Sequence, residues 1–386
     1  MTASVHLPKT IHYGRDSFQK VGSEAKAAGS KALLISDEIM AELGFVDTCE
    51  QHLADVGVES VRYLGVASEP TDVYVEEALA LVERNDCDHI IALGGGSCID
   101  TAKGVAVLAT NGGEISAYMN NRRKAAKRAL PFIAIPTTAG TGSEATDVTV
   151  ITNTKNDVKM MIKQPAFMPE TAIVDPYLTV TSPRGTTAAT GVDALTHALE
   201  AYISKKAHPF TDELALSAIE RIYASILTAY NDGKNIEARD EMVYAAMQAG
   251  MAFSNASVCL VHGMSRPIGA LFHVPHGISN AMLLPAVLEF SEDSCRDRLA
   301  DIGRRLFPQA EDPARVFVDE VIALCRKLDI PNLGGWGIDE AEFEAVLEKM
   351  ADDAIESGSP GNNPRVPTKD ELIDLYRTAF HYSYKN

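Results

Sequence analysis

Up to about residue 180 the chain alternates between two hydrophobic rhythms. Short apolar runs rich in branched residues, namely Lys31-Ala-Leu-Leu-Ile-Ser36, His89-Ile-Ile-Ala-Leu93, Pro131-Phe-Ile-Ala-Ile135 and Thr171-Ala-Ile-Val174, read as strands that end in turn or polar residues. Between them the period lengthens: residues 71–85 place Val73, Val75, Ala78, Leu79, Leu81 and Val82 at a mostly helical spacing, and residues 97–110 do the same with Ile99, Ala102, Val105, Ala106 and Leu108. Strand and helix in alternation predict a parallel sheet with crossover helices. After Asp175-Pro176 and Ser182-Pro-Arg-Gly185 the strand-like runs nearly vanish. Residues 193–203, 212–230, 237–254, 313–328, 339–354 and 368–382 then read as amphipathic helices, the last opening on the capping box Thr368-Lys-Asp-Glu371. The expected division is an α/β domain over residues 1–184 and an all-α domain over residues 185–386, each long enough for its own core.

Charge narrows the partners. With 35 Lys+Arg against 53 Asp+Glu the formal net charge is −18, and no basic run exceeds the short Asn121-Arg-Arg-Lys124 patch, so nucleic acid is not an expected partner. No stretch approaches the roughly 18 apolar residues of a spanning helix, and the start lacks a secretory pattern, which predicts no membrane association and a cytoplasmic protein. The cysteines at 49, 87, 98, 259, 295 and 325 contain no Cys-x-x-Cys pair, against both a disulfide framework and a thiolate zinc site.

Two loops carry ligand chemistry. Leu93-Gly94-Gly95-Gly96-Ser97-Cys-Ile-Asp100-Thr-Ala-Lys103 follows a predicted strand and opens a helix, so bare backbone amides and a helix N-terminus are available to a phosphate. It is neither the Gly-x-Gly-x-x-Gly fingerprint nor a P-loop, and Ser97 and Asp100 acting as helix caps is the alternative. Pro136-Thr137-Thr138-Ala-Gly-Thr141-Gly-Ser143-Glu144 also lies just past a strand. Two polar Gly-rich loops at the carboxyl edge of one parallel sheet suit the ribose, phosphates and amide of a dinucleotide. Asp37, closing an earlier strand, would accept from a ribose 2′-hydroxyl and repel a 2′-phosphate, which favours NAD over NADP; an Asp there is also a common turn former.

The helical half offers a metal set. Asp193 and His197 stand four apart on one face of a predicted helix, and His262 and His276 each precede a glycine. One carboxylate and three imidazoles suit a divalent ion of intermediate softness such as Fe²⁺ or Zn²⁺. Each histidine taken alone is equally compatible with a hydrogen-bonded structural role.

Together, Gly94–Lys103, Pro136–Glu144, Gly191-Val-Asp-Ala-Leu-Thr-His-Ala-Leu-Glu-Ala-Tyr202, and His262-Gly-Met-Ser-Arg-Pro-Ile-Gly269 with Pro275-His-Gly277 resemble, in order, the iron-containing (group III) alcohol dehydrogenase family. The likeness runs from Leu7-Pro8 to Asn363-Pro364-Arg365. It implies a dehydroquinate synthase-like arrangement, a dinucleotide-binding α/β domain followed by a helical domain with the active site in the cleft between them. It makes Asp193, His197, His262 and His276 the metal ligands, with Fe²⁺ first and Zn²⁺ or Mn²⁺ as substitutes. It places Gly95, Gly96 and Ser97 at the pyrophosphate of NAD, Thr137, Thr138, Thr141 and Ser143 along the ribose and nicotinamide, Lys159 on the cofactor, and Leu178 near the adenosine. It further implies a homodimer.

Two positions depart from the pattern. Arg266 stands where some members carry a histidine thought to assist proton transfer, leaving His273 or bound water to deliver the proton. Glu69 replaces the asparagine of an Asn-Pro-Thr turn, removing an expected amide contact to the cofactor and weakening the case for Thr71 as a ligand. The expected reaction is reversible reduction of a short aldehyde with NADH. If Arg266 faces the pocket, an anionic aldehyde such as sulfoacetaldehyde or succinic semialdehyde is expected; the alternative is a structural ion pair near a helix end. Rival expectations are a zinc-dependent polyol dehydrogenase and a catalytically silent NAD- or metal-sensing protein.

Overall fold

The computed structural model describes residues 3–384. In chain order the first part contains β1 (Thr10–Tyr13), α1 (Lys20–Ala28), β2 (Lys31–Ile35), α2 (Glu38–Glu42), α3 (Phe45–Ala54), β3 (Glu59–Tyr63), α4 (Asp72–Asn85), β4 (His89–Gly94), α5 (Gly96–Asn111), β5 (Phe132–Pro136), β6 (Val148–Asn153), β7 (Val158–Lys163) and β8 (Thr171–Val174). The remainder is helical: α6 (Arg184–Ile203), α7 (Pro209–Asn231), α8 (Ile236–Ala256), α9 (Leu260–Phe272), α10 (His276–Ser291), α11 (Arg296–Leu306), α12 (Pro313–Lys327), α13 (Leu333–Trp336), α14 (Glu340–Glu356) and α15 (Lys369–Phe380), joined by short turns.

Six strands form one parallel sheet in the order β1-β8-β5-β4-β2-β3, and β6 and β7 make a separate antiparallel hairpin. Because side chains alternate across a strand, each central strand feeds two cores. Leu33, Ile35, Ile90 and Ala92 pack with Val75 of α4 and Ile99 of α5, while Ala32, Leu34, Ile91 and Leu93 pack with Val21 of α1 and Leu53 of α3. This double burial is why β2, β4, β5 and β8 are continuous apolar runs, and their bounds fall within about one residue of the sequence expectation. The edge strands β1 and β3 were not expected from the pattern: they are short, half-buried and mixed in polarity. Likewise β6–β7 carries alternating polar residues, since only part of each strand is covered.

The predicted helices are all present, with α6 beginning at Arg184 rather than near 193. Both halves of the expected capping box at α15 form: Thr368 Oγ1 accepts from Glu371 N, and the Glu371 carboxylate accepts from Thr368 N. No helix among the described residues is long and apolar enough to cross a membrane.

Candidate active site

At the carboxyl end of β4 the chain turns through Gly94 and Gly95 directly into α5, with Gly95 as N-cap and no side-chain cap. The capping alternative for Ser97 and Asp100 is therefore corrected. Asp100 instead joins two loops: its carboxylate accepts from Ser143 Oγ (2.6 Å) and from Val150 N (2.8 Å). A Cβ on Gly96 would lie 2.7 Å from Thr141 Cγ2, so the β4 and β5 loops pack side by side only because that residue is glycine. Lys103, fully buried, completes the join by donating to Ser143 Oγ (2.8 Å), Thr146 Oγ1 (2.8 Å) and Val148 O (2.6 Å). Burial lowers its amine to about 8, against the pull of Asp100 and Asp147.

These loops form one wall of a cavity of about 260 Å³. Gly95, Gly96, Ser97, Asp100, Thr138, Thr141 and Ser143 line it, as do Val148 and Val150 of β6 and Lys159 of β7. The opposite wall is helical: Asp193 and His197 from α6, Phe253 from α8, His262 and Arg266 from α9, and His276 from the first turn of α10. The predicted cofactor loops and the predicted metal set therefore face one space. Thr137 is buried behind the wall, where its N–H donates to Gly94 O (3.0 Å). Leu178 is buried in the sheet core with Leu34, Leu93 and Ile135. Asp37 caps α2, accepting from Met40 N (2.9 Å), and also accepts from the thiol of Cys98 (3.6 Å). His273 does not reach the cavity: it is exposed at the end of α9 with φ 53°, so its proposed part in proton delivery gains no geometric support.

The helical wall converges on a point. Asp193 Oδ1 lies 3.8 Å from His197 Nδ1, 3.7 Å from His262 Nε2 and 4.0 Å from His276 Nε2, and ligand atoms of all four residues fall within 4.8 Å of one another. Ligands about 2.1 Å from a tetrahedral ion stand about 3.4 Å apart, so this spacing fits a transition metal. The polar bookkeeping agrees: Asp193 Oδ2 and His197 Nδ1 are buried without a hydrogen-bond partner. Burial raises the Asp193 carboxyl, but the imidazoles of His197, His276 and His262 and the amide of Asn280 outweigh it, and the net shift is downward. Burial also lowers the imidazoles, His262 well below its ordinary value and His276 to about 4, so both are neutral and keep a lone pair for an ion.

Two residues in this cluster escaped the sequence reading. Glu200 accepts from His262 Nδ1 (2.7 Å) and from the backbone N–H groups of Cys259 (2.8 Å) and Val261 (2.6 Å). With Nδ1–H donated to that carboxylate, His262 Nε2 turns its lone pair toward Asp193. Asn280, in the next turn of α10 after His276, donates from Nδ2 to Asp193 Oδ1 (2.7 Å). Spacing was an available signal for both, since Glu200 follows His197 by three residues and Asn280 follows His276 by four.

The two departures also have definite places. Glu69 lines the cavity, accepts from His276 N (3.1 Å) and pairs with Lys159 Nζ at 2.8 Å, a close approach not aligned as a hydrogen bond. Thr71 caps α4, accepting from Tyr74 N (3.3 Å). Arg266 has no carboxylate within 4 Å among the described residues, so the expected structural ion pair is not formed; it donates to Ser359 Oγ (3.0 Å) and Met161 Sδ (3.0 Å).

A Gly-rich helix entry therefore faces an Asp/His₃ cluster that could hold a metal ion. Residues 8–176 match the model of the iron-containing alcohol dehydrogenases, and residues 187–380 match that of the family's C-terminal region. The chain belongs to the iron-containing alcohol dehydrogenase family, and is an NAD-dependent, metal-containing enzyme of that class. It is 37% identical to a 1,3-propanediol dehydrogenase of Citrobacter freundii, over 97% of this chain and 98% of that one. Among solved structures, a 1,3-propanediol oxidoreductase superposes with a TM-score of 0.94 at 35% identity, covering 98% of this chain and all of the other. A sulfoacetaldehyde reductase from Bifidobacterium kashiwanohense in complex with NAD⁺ gives 0.89 at 27% identity, covering 99% of this chain and all of the other. These relatives do not favour the polyol-dehydrogenase or silent-sensor alternatives.

Proposed function

We propose that the protein interconverts a short-chain aldehyde and its alcohol with NADH and NAD⁺, using an ion held by Asp193, His197, His262 and His276. The observation that carries this reading is the shared cavity, in which the convergent imidazoles of α6, α9 and α10 face the amide-rich entry to α5. When bound, a divalent ion polarises a carbonyl oxygen as a Lewis acid while the nicotinamide supplies or accepts the hydride.

The chain's own residues do the rest. Asp193 and the neutral imidazoles form a ligand set with one formal negative charge, and Glu200 keeps the His262 ring in one tautomer and orientation. Gly95, Gly96 and Ser97, at the N-terminus of α5, offer backbone N–H groups to a pyrophosphate. Thr138, Thr141 and Ser143 offer hydroxyls along the same wall. Thr137 from behind and Asp100 from the cavity wall hold these loops in place, while Asp37 would accept from the ribose and Leu178 would give apolar support near the adenosine. Val148, Val150 and Phe253 line the space between the walls with apolar surface. Lys159, paired with Glu69, would contact the cofactor from β7.

The test is NADH oxidation with a panel of short aldehydes, on metal-free protein reloaded separately with Fe²⁺, Zn²⁺ and Mn²⁺. The expected result is turnover that depends on the added ion, with Fe²⁺ the native one; no turnover with any aldehyde and any ion defeats the reading. A homodimer in the cytoplasm completes the proposal, checked by light scattering and cell fractionation.

A further inference from the structure

We propose that Arg266 is an anion-recognition group of the substrate cavity, and that the preferred aldehyde carries a carboxylate or sulfonate a few bonds from its carbonyl. This rests on the aldehyde-reductase reading above and names its substrate class.

Arg266 is only 7% exposed, and its two hydrogen-bond partners are one hydroxyl, Ser359 Oγ, and one thioether, Met161 Sδ. A thioether is a weak acceptor, and a guanidinium has five N–H donors. The other deeply buried arginine of the helical half shows what a structural site looks like. Arg239, 2% exposed, gives its donors to three oxygens: Gly233 O (2.9 Å), Thr187 Oγ1 (2.9 Å) and Ser182 O (3.3 Å). All three Arg239 nitrogens donate to oxygens, whereas Arg266 gives Nη1 to one hydroxyl oxygen and Nη2 to a sulfur.

Two of the nearby charges are committed elsewhere, while Asp157, Asp353 and Glu356 line the second cavity beside Arg266. Lys159 is paired with Glu69. Glu200, whose field reaches Arg266, is occupied by His262 Nδ1 and two backbone N–H groups. Burial brings the guanidinium down to about 10, which leaves it charged at neutral pH. A buried cation without a paired anion is costly, and an anionic ligand would remove that cost with the planar bidentate geometry that guanidinium provides.

Position then sets the length of the ligand. Arg266 lies one helical turn beyond His262 on α9, which brings the two Cβ atoms to about 5–6 Å. It lines the main cavity and also a second one of about 260 Å³, in which Met161 and Lys159 are shared walls. A short aldehyde with its carbonyl at the histidine cluster would turn its charged far end toward Arg266 at this junction.

The test compares kcat/KM for NADH-dependent reduction of succinic semialdehyde and sulfoacetaldehyde with butanal and propanal, in the wild type and in Arg266→Met. The expected result is a wild-type preference for the anionic aldehydes, reduced on the order of 10- to 100-fold in the variant, with the change mainly in KM. No wild-type preference, or a preference that survives the substitution, overturns the proposal while leaving the aldehyde-reductase reading intact. If no aldehyde is reduced at all, that reading itself fails. Should Arg266→Met not fold, inhibition of the wild type decides. Ethanesulfonate, a weak metal ligand, should compete with a neutral aldehyde, and the uncharged ethyl methyl sulfone should not; equal inhibition by both overturns the proposal.

Discussion

The two walls of the cavity are built on opposite principles. The wall from the α/β half presents backbone amides and hydroxyls held by Asp100 and Lys103, and the wall from the helices presents three imidazoles and a carboxylate. The acid facing the cation site stands apart. Burial pushes Glu144 of the β5 loop and Glu200 of the helical cluster alike up to about 7, whereas equally buried Asp193 moves down through the charge that His197, His276 and His262 carry when protonated and the Asn280 amide. One wall is prepared for a ligand that brings its own negative charge, and the other keeps a negative charge for a cation. Function is therefore divided between a surface hard to damage through side chains and a cluster that single substitutions should destroy.

The largest expected effect tests that cluster. His262→Ala or His276→Ala should lower kcat/KM by at least about 10³-fold and deplete bound metal, read by elemental analysis; a variant retaining both breaks the comparison. Chelation of the wild type should stop turnover yet leave NADH affinity, measured by fluorescence titration, within about threefold, because the cofactor wall is made of backbone. A parallel collapse of NADH binding would mean that the walls are not independent. Glu200→Ala should weaken metal affinity by roughly 10- to 100-fold, with Glu200→Gln intermediate, through loss of the His262 Nδ1 contact.

Smaller effects probe the other wall. Between the usual carboxylate range and about 7, native Glu144 holds a proton that the unfolded chain has released, so its contribution makes stability fall as pH rises through that window. Glu144→Gln should remove that part of the slope, seen in melting temperatures at pH 5 and 7.5; an unchanged slope shows that Glu144 is ionised in the fold. Smallest of all, Asp37→Asn keeps a good helix cap and should raise the NADPH-to-NADH ratio of kcat/KM several-fold. An unmoved ratio confines Asp37 to capping.

Legibility in the sequence followed the same division. The parallel strands were readable because burial on both faces makes them unbroken apolar runs, and the loops because glycine and threonine there have few other reasons to cluster. The helices carrying His262 and His276 were not. α9 contains Gly263, Pro267 and Gly269, which suppress helix propensity, and tertiary packing overrides them: a Cβ on Gly263 would lie 2.7 Å from Pro360. Glu200 and Asn280 were hidden for a different reason. Their importance lies in which ring or carboxylate they touch, and contacts such as Glu200 with His262 join residues 62 apart in the chain.

One small contact sets the relation between the walls. Gly142, at φ 60°, meets Gly250 of α8 so closely that a Cβ on either residue would come within 2.5–2.6 Å of the other's backbone. Two missing methyl groups thus set how closely the β5 loop seats against α8, the helix that brings Phe253 to the cavity. Reacting atoms must approach to about 3–3.5 Å, and a misfit near 1 Å can cost 10²-fold in rate. The separation of the two walls thus depends in part on where the chain has no side chain at all, and enlarging either position would push the β5 loop and α8 apart.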